Sequence, residues 1–230
     1  AKDNIKIGII TALNEEFEAM QNFLWHSRRV NIGARGRGHN YVFGYLPTER
    51  GIVSIALCCI DAMGNNEAAI QAQNLLSDMQ NAKYVIMTGI AAGAPNVLDV
   101  SKHVRLGDVV ISDKRGVVQY DLVKLSTNVE HRNVNINTGA KLLEASHELQ
   151  RALNTLFKEN IIKDIYARRP KNDQLHDNLG NVVNHPLDKS RIKNEPKLFI
   201  GGIGAANILL KNSKTRDELR DELNLLAFEM

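Results

Sequence analysis

Two adjacent acids, Glu15 and Glu16, follow directly on the apolar run Ile5–Ala12. A carboxylate at the carboxyl end of a buried strand, beginning a helix, is well placed to act on a bound ligand. The same acids suit the first helical turn, where they complement the helix dipole, and on residue type alone that is the commoner arrangement. Another acid, Glu229, breaks into the apolar run that starts at Leu225, where a carboxylate needs a partner. Between them, Thr88–Gly93 (TGIAAG) follows the run Tyr84–Met87 with small residues. Such residues at a strand end let a ligand approach the backbone closely, as for a pocket floor. The segment has neither GxxxxGK[ST] nor GxGxxG spacing, so neither nucleotide fingerprint applies. The loop Asp61–Asn66 (DAMGNN) can hold a ligand, or simply cap the next helix. Arg28, Arg29, Arg35 and Arg37 lie in a glycine-rich stretch read as a loop. They can grip a phosphate in bidentate fashion or form a solvated surface. The seven histidines form no cluster, and no Cys/His spacing points to zinc.

The elements that must position these groups alternate between strand and helix. Ile5–Ala12 reads as a strand buried on both faces, and Leu13–Leu24 as a helix with Phe17, Met20 and Leu24 on one side. Tyr41–Leu46 and Ile52–Ile60 form a hairpin through Pro47–Gly51. Asn65–Met79 is helical, with Ala68, Ala69, Ala72, Leu75, Leu76 and Met79 as its packing stripe. Val85–Gly89, Asp108–Ile111 and Val117–Leu122 read as strands, Ala140–Phe157 as an amphipathic helix. Residues 167–197 are polar and unpatterned and hold three of the five prolines, which predicts a long loop or peripheral insertion. Leu198–Gly204 resumes as a strand, Thr215–Leu223 is a helix and Leu225–Phe228 starts a last strand. The expected class is α/β, a single domain over residues 1–230 with a mixed central β-sheet flanked by helices. An apolar strand stopping at Met230 reads as truncation at the C-terminus, with the covering elements lying beyond.

Composition bounds the function. At 230 residues, 43% hydrophobic and 24% charged, the chain is an ordinary globular protein with room for one substantial core. A net charge of +3 is too small to argue for a nucleic-acid partner. No eighteen-residue apolar run and no signal-peptide pattern is present, so a cytoplasmic protein without a membrane partner is expected. Cys58 and Cys59, adjacent in an apolar run, read as buried thiols of a reducing compartment.

Five segments in order, IGIITALNEEFEAM, DAMGNNEAA, VIMTGIAAGA, VRLGDVVISD and the terminal AFEM, resemble the purine nucleoside phosphorylase/uridine phosphorylase superfamily. Within it they are most similar to the methylthioadenosine/S-adenosylhomocysteine nucleosidase branch. VRLGDVVISDKRGVVQYD, with TRDEL before the last strand, also resembles nucleosidase-type domains at the N-terminus of larger immune-receptor-like or defence proteins. The resemblance implies a nucleoside phosphorylase-like fold and cleavage of the N-glycosidic bond of a purine nucleoside or nucleotide, releasing free base. It implies no cofactor and no metal, a homo-oligomer, and by the narrower likeness a part in antiviral defence.

Residue by residue, the resemblance makes Glu16 the group that activates the attacking water. Glu229 and Met230 match the acid and methionine under the ribose. Ile90, Ala91 and Ala92 become the pocket floor and Met63 an apolar wall, with Ala12, Asn207 and Phe228 among the substrate contacts. A phosphorylase needs arginines for inorganic phosphate. Met87 stands where one is usual, ALNEEFEA lacks the arginine-bearing loop, and Arg37 falls where a third would lie. This favours water over phosphate and leaves Arg37 for a phosphate carried by the substrate. The family's second ribose glutamate and its purine-protonating acid would both fall beyond Met230. A phosphate-dependent phosphorylase and a non-catalytic nucleoside-sensing module of a larger protein are the alternatives.

Overall fold

The computed structural model describes residues 2–33, 38–60, 64–121, 123–126, 135–138, 141–158, 172–177, 179–192, 195–207, 210 and 212–229. The chain divides into two compact units, Ala1–Ile90 and Ala91–Met230, each built on its own five-stranded sheet flanked by helices. The α/β class expected from the alternation of elements is what forms.

In the first unit the elements run β1 (Ile7–Thr11), α1 (Asn14–Gln21), β2 (Trp25–Ile32), β3 (His39–Thr48), β4 (Gly51–Cys59), α2 (Asn65–Asp78) and β5 (Tyr84–Met87). The sheet order is β2-β3-β4-β1-β5. β1 lies parallel to β4 and β5, so their carboxyl ends share one edge. β3 and β4 form the expected hairpin in continuous register from Val42–Leu57 to Thr48–Gly51. Phe17, Met20 and Leu24 pack as read, against Ile9, Val42, Ile55 and Leu57. On the other face Leu75 of α2 and Met79 at its C-cap are fully buried, packed with Tyr41, Phe43 and Cys58. Gly8 permits that contact, since a Cβ there would lie 2.4 Å from a Leu75 methyl. Neither cysteine is in a disulfide; Cys58 is buried, and Cys59, only partly so, donates its thiol to the Ala12 carbonyl.

The second unit contains β6 (Ala92–Gly93), β7 (Val109–Gln119), β8 (Val123–Ser126), β9 (Asn135–Thr138), β10 (Lys141–Leu143), α3 (His147–Lys158), β11 (Leu175–His176), β12 (Val182–Val183), β13 (Leu198–Ala205), α4 (Ser213–Leu223) and β14 (Leu225–Phe228). Its sheet order is β10-β7-β13-β14-β6, with β7, β13 and β14 parallel. α4 is capped at its start by the Asn212 side chain, which accepts from the Thr215 N–H, and ends in left-handed Asn224. The Arg115 guanidinium, gripped by Asp113, donates to the carbonyls of Leu223 and Asn224 and so satisfies the helix end.

Three readings are corrected. Arg28 and Arg29 stand on strand β2, paired with Phe43 and Val42, and not in a loop. The predicted strands Asp108–Ile111 and Val117–Leu122 belong to the single strand β7. Its register on β13 jumps from Ser112–Gly201 to Val117–Ile203. Asp113–Gly116 drop out of the ladder with β13 there, with Gly116 at φ 65°, and their polar character splits the apolar pattern into two runs. The helix read from Ala140 starts at His147, because Lys141–Leu143 pairs with β7 as β10.

The unpatterned segment is held by charge and not by an apolar stripe. Asp108 accepts from the Arg105 and Lys197 N–H groups, at 2.7 and 2.8 Å, and from both Nη atoms of Arg191. The Asp108 and Arg191 side chains are 0% and 6% exposed. Arg105 donates to Asp173, and the His103 and His185 rings meet at 2.9 Å between Nε2 and Nδ1. Breaking a buried pair strands the surviving charge. Asp108→Ala is therefore expected to lose about 3–5 kcal/mol of stability in urea unfolding.

His103 is 3% exposed. Burial lowers its pKa below the ordinary histidine value, against an opposing bond to the Asn96 carbonyl, and His185, Arg105 and Arg191 lower it further. The folded imidazole stays neutral where the unfolded one takes up a proton. That stability is present above the ordinary value of about 6.5 and is lost as pH falls through the folded pKa. Urea midpoints of the wild type should fall more steeply between about pH 7.5 and 5.5 than those of His103→Gln.

Candidate active site

At the carboxyl end of β1 the chain turns through Ala12 and Leu13 into α1, and Glu16 folds back over that turn. One carboxylate oxygen, Oε2, accepts from the N–H groups of Ala12 and Leu13, each at 3.0 Å. The other, Oε1, accepts from the N–H of Ile90 at 2.6 Å. The carboxylate thus ties the end of β1 to the segment leaving β5. The residue is only 8% exposed. A carboxylate offers roughly four acceptor sites, and three amide donors hold this one rigid. Gly89 makes this approach possible, since a Cβ there would stand 2.7 Å from Oε1.

Of the residues expected in the site, the first unit therefore brings Ala12, Glu16 and Ile90 together. The role of Ile90 is in its backbone, since its side chain is 70% exposed. In the second unit Ala92 pairs directly with Phe228 across β6 and β14, with exposed Ala91 beside them. Glu229 does not interrupt a strand, because β14 ends at Phe228. It stands one residue further on, half-buried, its N–H donating to the Gly204 carbonyl. Asn207 follows the end of β13, exposed, and is held by a residue not foreseen. Asp121 Oδ2 accepts from the Asn207 N–H at 2.7 Å and side-chain amide at 3.3 Å, while Oδ1 accepts from Gln119. Burial alone would raise the Asp121 pKa, but these donors outweigh it and bring it below the ordinary carboxylate value. Asp121 is thus an acceptor and not an acid. The signal for it was present, an acid at the end of an apolar run, but it fell inside the predicted strand Val117–Leu122, which ends instead at Gln119. Met63, Met230 and Arg37 lie outside the described residues, as does most of the loop before α2. Gly64 there serves as N-cap at φ 115° without a side-chain bond. Among the described residues no His, Cys, Asp or Glu cluster could hold a metal, and no helix is long and apolar enough to cross a membrane.

The model of the phosphorylase superfamily matches residues 6–168, and the chain belongs to that superfamily. Solved structures share the fold. A Borrelia burgdorferi B31 protein, assigned as a 5′-methylthioadenosine/S-adenosylhomocysteine nucleosidase and crystallised with adenine, is similar at a TM-score of 0.63 and 16% identity, over 97% of this chain and 76% of its own. A Streptococcus pneumoniae 5′-methylthioadenosine/S-adenosylhomocysteine nucleosidase with a transition-state inhibitor gives 0.59 and 18%, over 98% and 75%. A Helicobacter pylori futalosine hydrolase mutant gives 0.56 and 18%, over 98% and 79%. A nucleotide-binding leucine-rich repeat (NLR)-like protein of the Hyaloscypha variabilis strain UAMH 11265 / GT02V1 / F is 26% identical over all of this chain. The chain spans about a quarter of that relative's length.

The Gly89–Glu16 contact is open to a direct test. Gly89→Ala should lower stability by about 1–3 kcal/mol by pushing the carboxylate off its amide donors. In a Glu16→Ala background the same change should cost clearly less, a coupling that a double-mutant cycle in urea will read.

Proposed function

We propose that this chain is a nucleosidase domain that hydrolyses the N-glycosidic bond of a purine nucleoside or nucleotide. The observation that carries the reading is the Glu16 carboxylate, buried at the end of a parallel strand and fixed by three backbone amides. Membership of the phosphorylase superfamily and the likeness to nucleosidases, one of them crystallised with adenine, support it. In this reading Glu16 takes a proton from water as the water oxygen bonds to the anomeric carbon. The C–N bond breaks, its electron pair leaves with the base, the base takes a proton from solvent as it departs, and Glu16 returns its own proton to solvent. The sugar is oxocarbenium-like at the transition state, so a weak nucleophile needs only a positioned base. Glu229 and Met230 are the ribose ligands, Ile90, Ala91 and Ala92 the floor, Met63 a wall, and Ala12, Asn207 and Phe228 further contacts. Arg37 binds a substrate phosphate. The quarter-length match to an NLR-like protein favours a module within a larger protein with a part in defence. The domain acts as a cytoplasmic homo-oligomer.

The test is release of free base from a panel of purine nucleosides and nucleotides, with and without inorganic phosphate. Release independent of phosphate is expected, and Glu16→Gln should slow it by about 10²–10⁴-fold. Release that requires phosphate would assign phosphorolysis instead, and tight nucleoside binding without any release would assign a sensing module. Arg37→Ala should weaken turnover of AMP or ATP much more than that of adenosine, and equal losses would remove Arg37 from the substrate site.

A further inference from the structure

β7, β13 and β14 run parallel, and the residues just past their carboxyl ends are Tyr120, Ala206 and Glu229. Ligands of open α/β sheets sit beyond such an edge. Tyr120 is still held in the ladder, its N–H donating to the Ala205 carbonyl at 3.2 Å. Its ring is 5% exposed and packs edge-on to Phe228, with centroids 5.6 Å apart and planes at 78°. The surrounding residues are apolar, among them Ala94, Ala206 and Leu225, with Leu219 and Leu223 of α4 packed against them.

The Tyr120 hydroxyl is buried and has no hydrogen-bond partner among the described residues. Buried polar groups are nearly always satisfied, and one left unpaired costs stability. Its neighbour Asp121 is engaged through both oxygens by Asn207 and Gln119. The framework around the hydroxyl is therefore complete, and the hydroxyl is the group left over. Burial, and after it the Asp121 charge, raises the phenol pKa, so the group keeps its proton and acts as a donor.

We propose that the Tyr120 hydroxyl is a specificity-determining donor, satisfied by an acceptor nitrogen of the purine ring when the ligand is bound. Surroundings of one aromatic edge, alanines and aliphatic side chains suit a flat heteroaromatic ring. A ring nitrogen supplies an acceptor and brings no competing donor. The inference rests on the purine reading above and adds to it the group that reads the base.

The experiment compares the full chain with its Tyr120→Phe variant, in thermal melting without ligand and in calorimetric titration with adenine, 3-deazaadenine and 7-deazaadenine. The ligand-free variant should melt at or above the wild-type temperature, because no protein partner is lost. Adenine should bind it about tenfold more weakly, the equivalent of one hydrogen bond. One deaza analogue should bind wild type and variant equally, naming the nitrogen. A variant that melts several degrees lower would show that the hydroxyl serves the fold and would overturn the proposal. So would a variant that binds adenine as tightly as wild type, and that result would leave the purine reading standing. A wild type that binds no purine would overturn the reading itself, and the proposal with it.

Discussion

A carboxylate taken out of water must be given donors, and the end of β1 is arranged around that requirement. Glu16 collects the N–H groups of Ala12, Leu13 and Ile90, which no regular element would otherwise satisfy there. The side chain therefore does structural work before any ligand arrives. It fixes the turn into α1 and anchors the chain as it leaves β5. The geometry that satisfies an acid in a first helical turn is also the one on which the proposed role of Glu16 as a base rests. Rigidity at no conformational cost to the reaction is what a positioned base needs. Gly89 follows from the same constraint, because any side chain there would occupy the space of the carboxylate.

The second unit uses buried charge in a different way. Asp108, with no exposed side-chain surface, gathers Arg191 and the backbone of Arg105 and Lys197 at the start of β7. Arg115, held by Asp113, closes the end of α4 at the point where β14 begins. Both arrangements let polar, unpatterned sequence take a defined course next to a sheet. Past the far ends of the same strands, Asp121, Asn207 and Gln119 satisfy one another. That edge of the sheet is thereby built from groups that are already oriented.

Periodicity made the strongly patterned elements legible. The apolar run before Glu15, the hairpin of β3 and β4, the stripe of α2 and the strand from Leu198 all form close to where they were read. The failures have a common cause. β2 is exposed along most of its length, as an edge strand can be, so Arg28 and Arg29 looked like loop residues. β7 carries Asp113–Gly116 outside its ladder with β13, and Lys141–Leu143 pairs across the sheet where helical periodicity had been extended backwards. In each case the partner strand decided the state, and local pattern cannot see a partner far along the chain.

The site divides along the same line. Residue types and order, with the family likeness they carry, put forward Glu16, the small residues from Ile90 to Ala92, and the acid at 229 as candidates. Sequence by itself thus determined which groups are chemically able to act and which elements precede them, since those are properties of composition and local pattern. Only the tertiary structure decided that Glu16 spans to Ile90, that Gly89 must lack a side chain, and that Asp121 holds Asn207. Each of these joins residues distant in the chain through hydrogen bonds and steric exclusion. Those act over a few ångströms, and such proximity exists only once the sheets have formed.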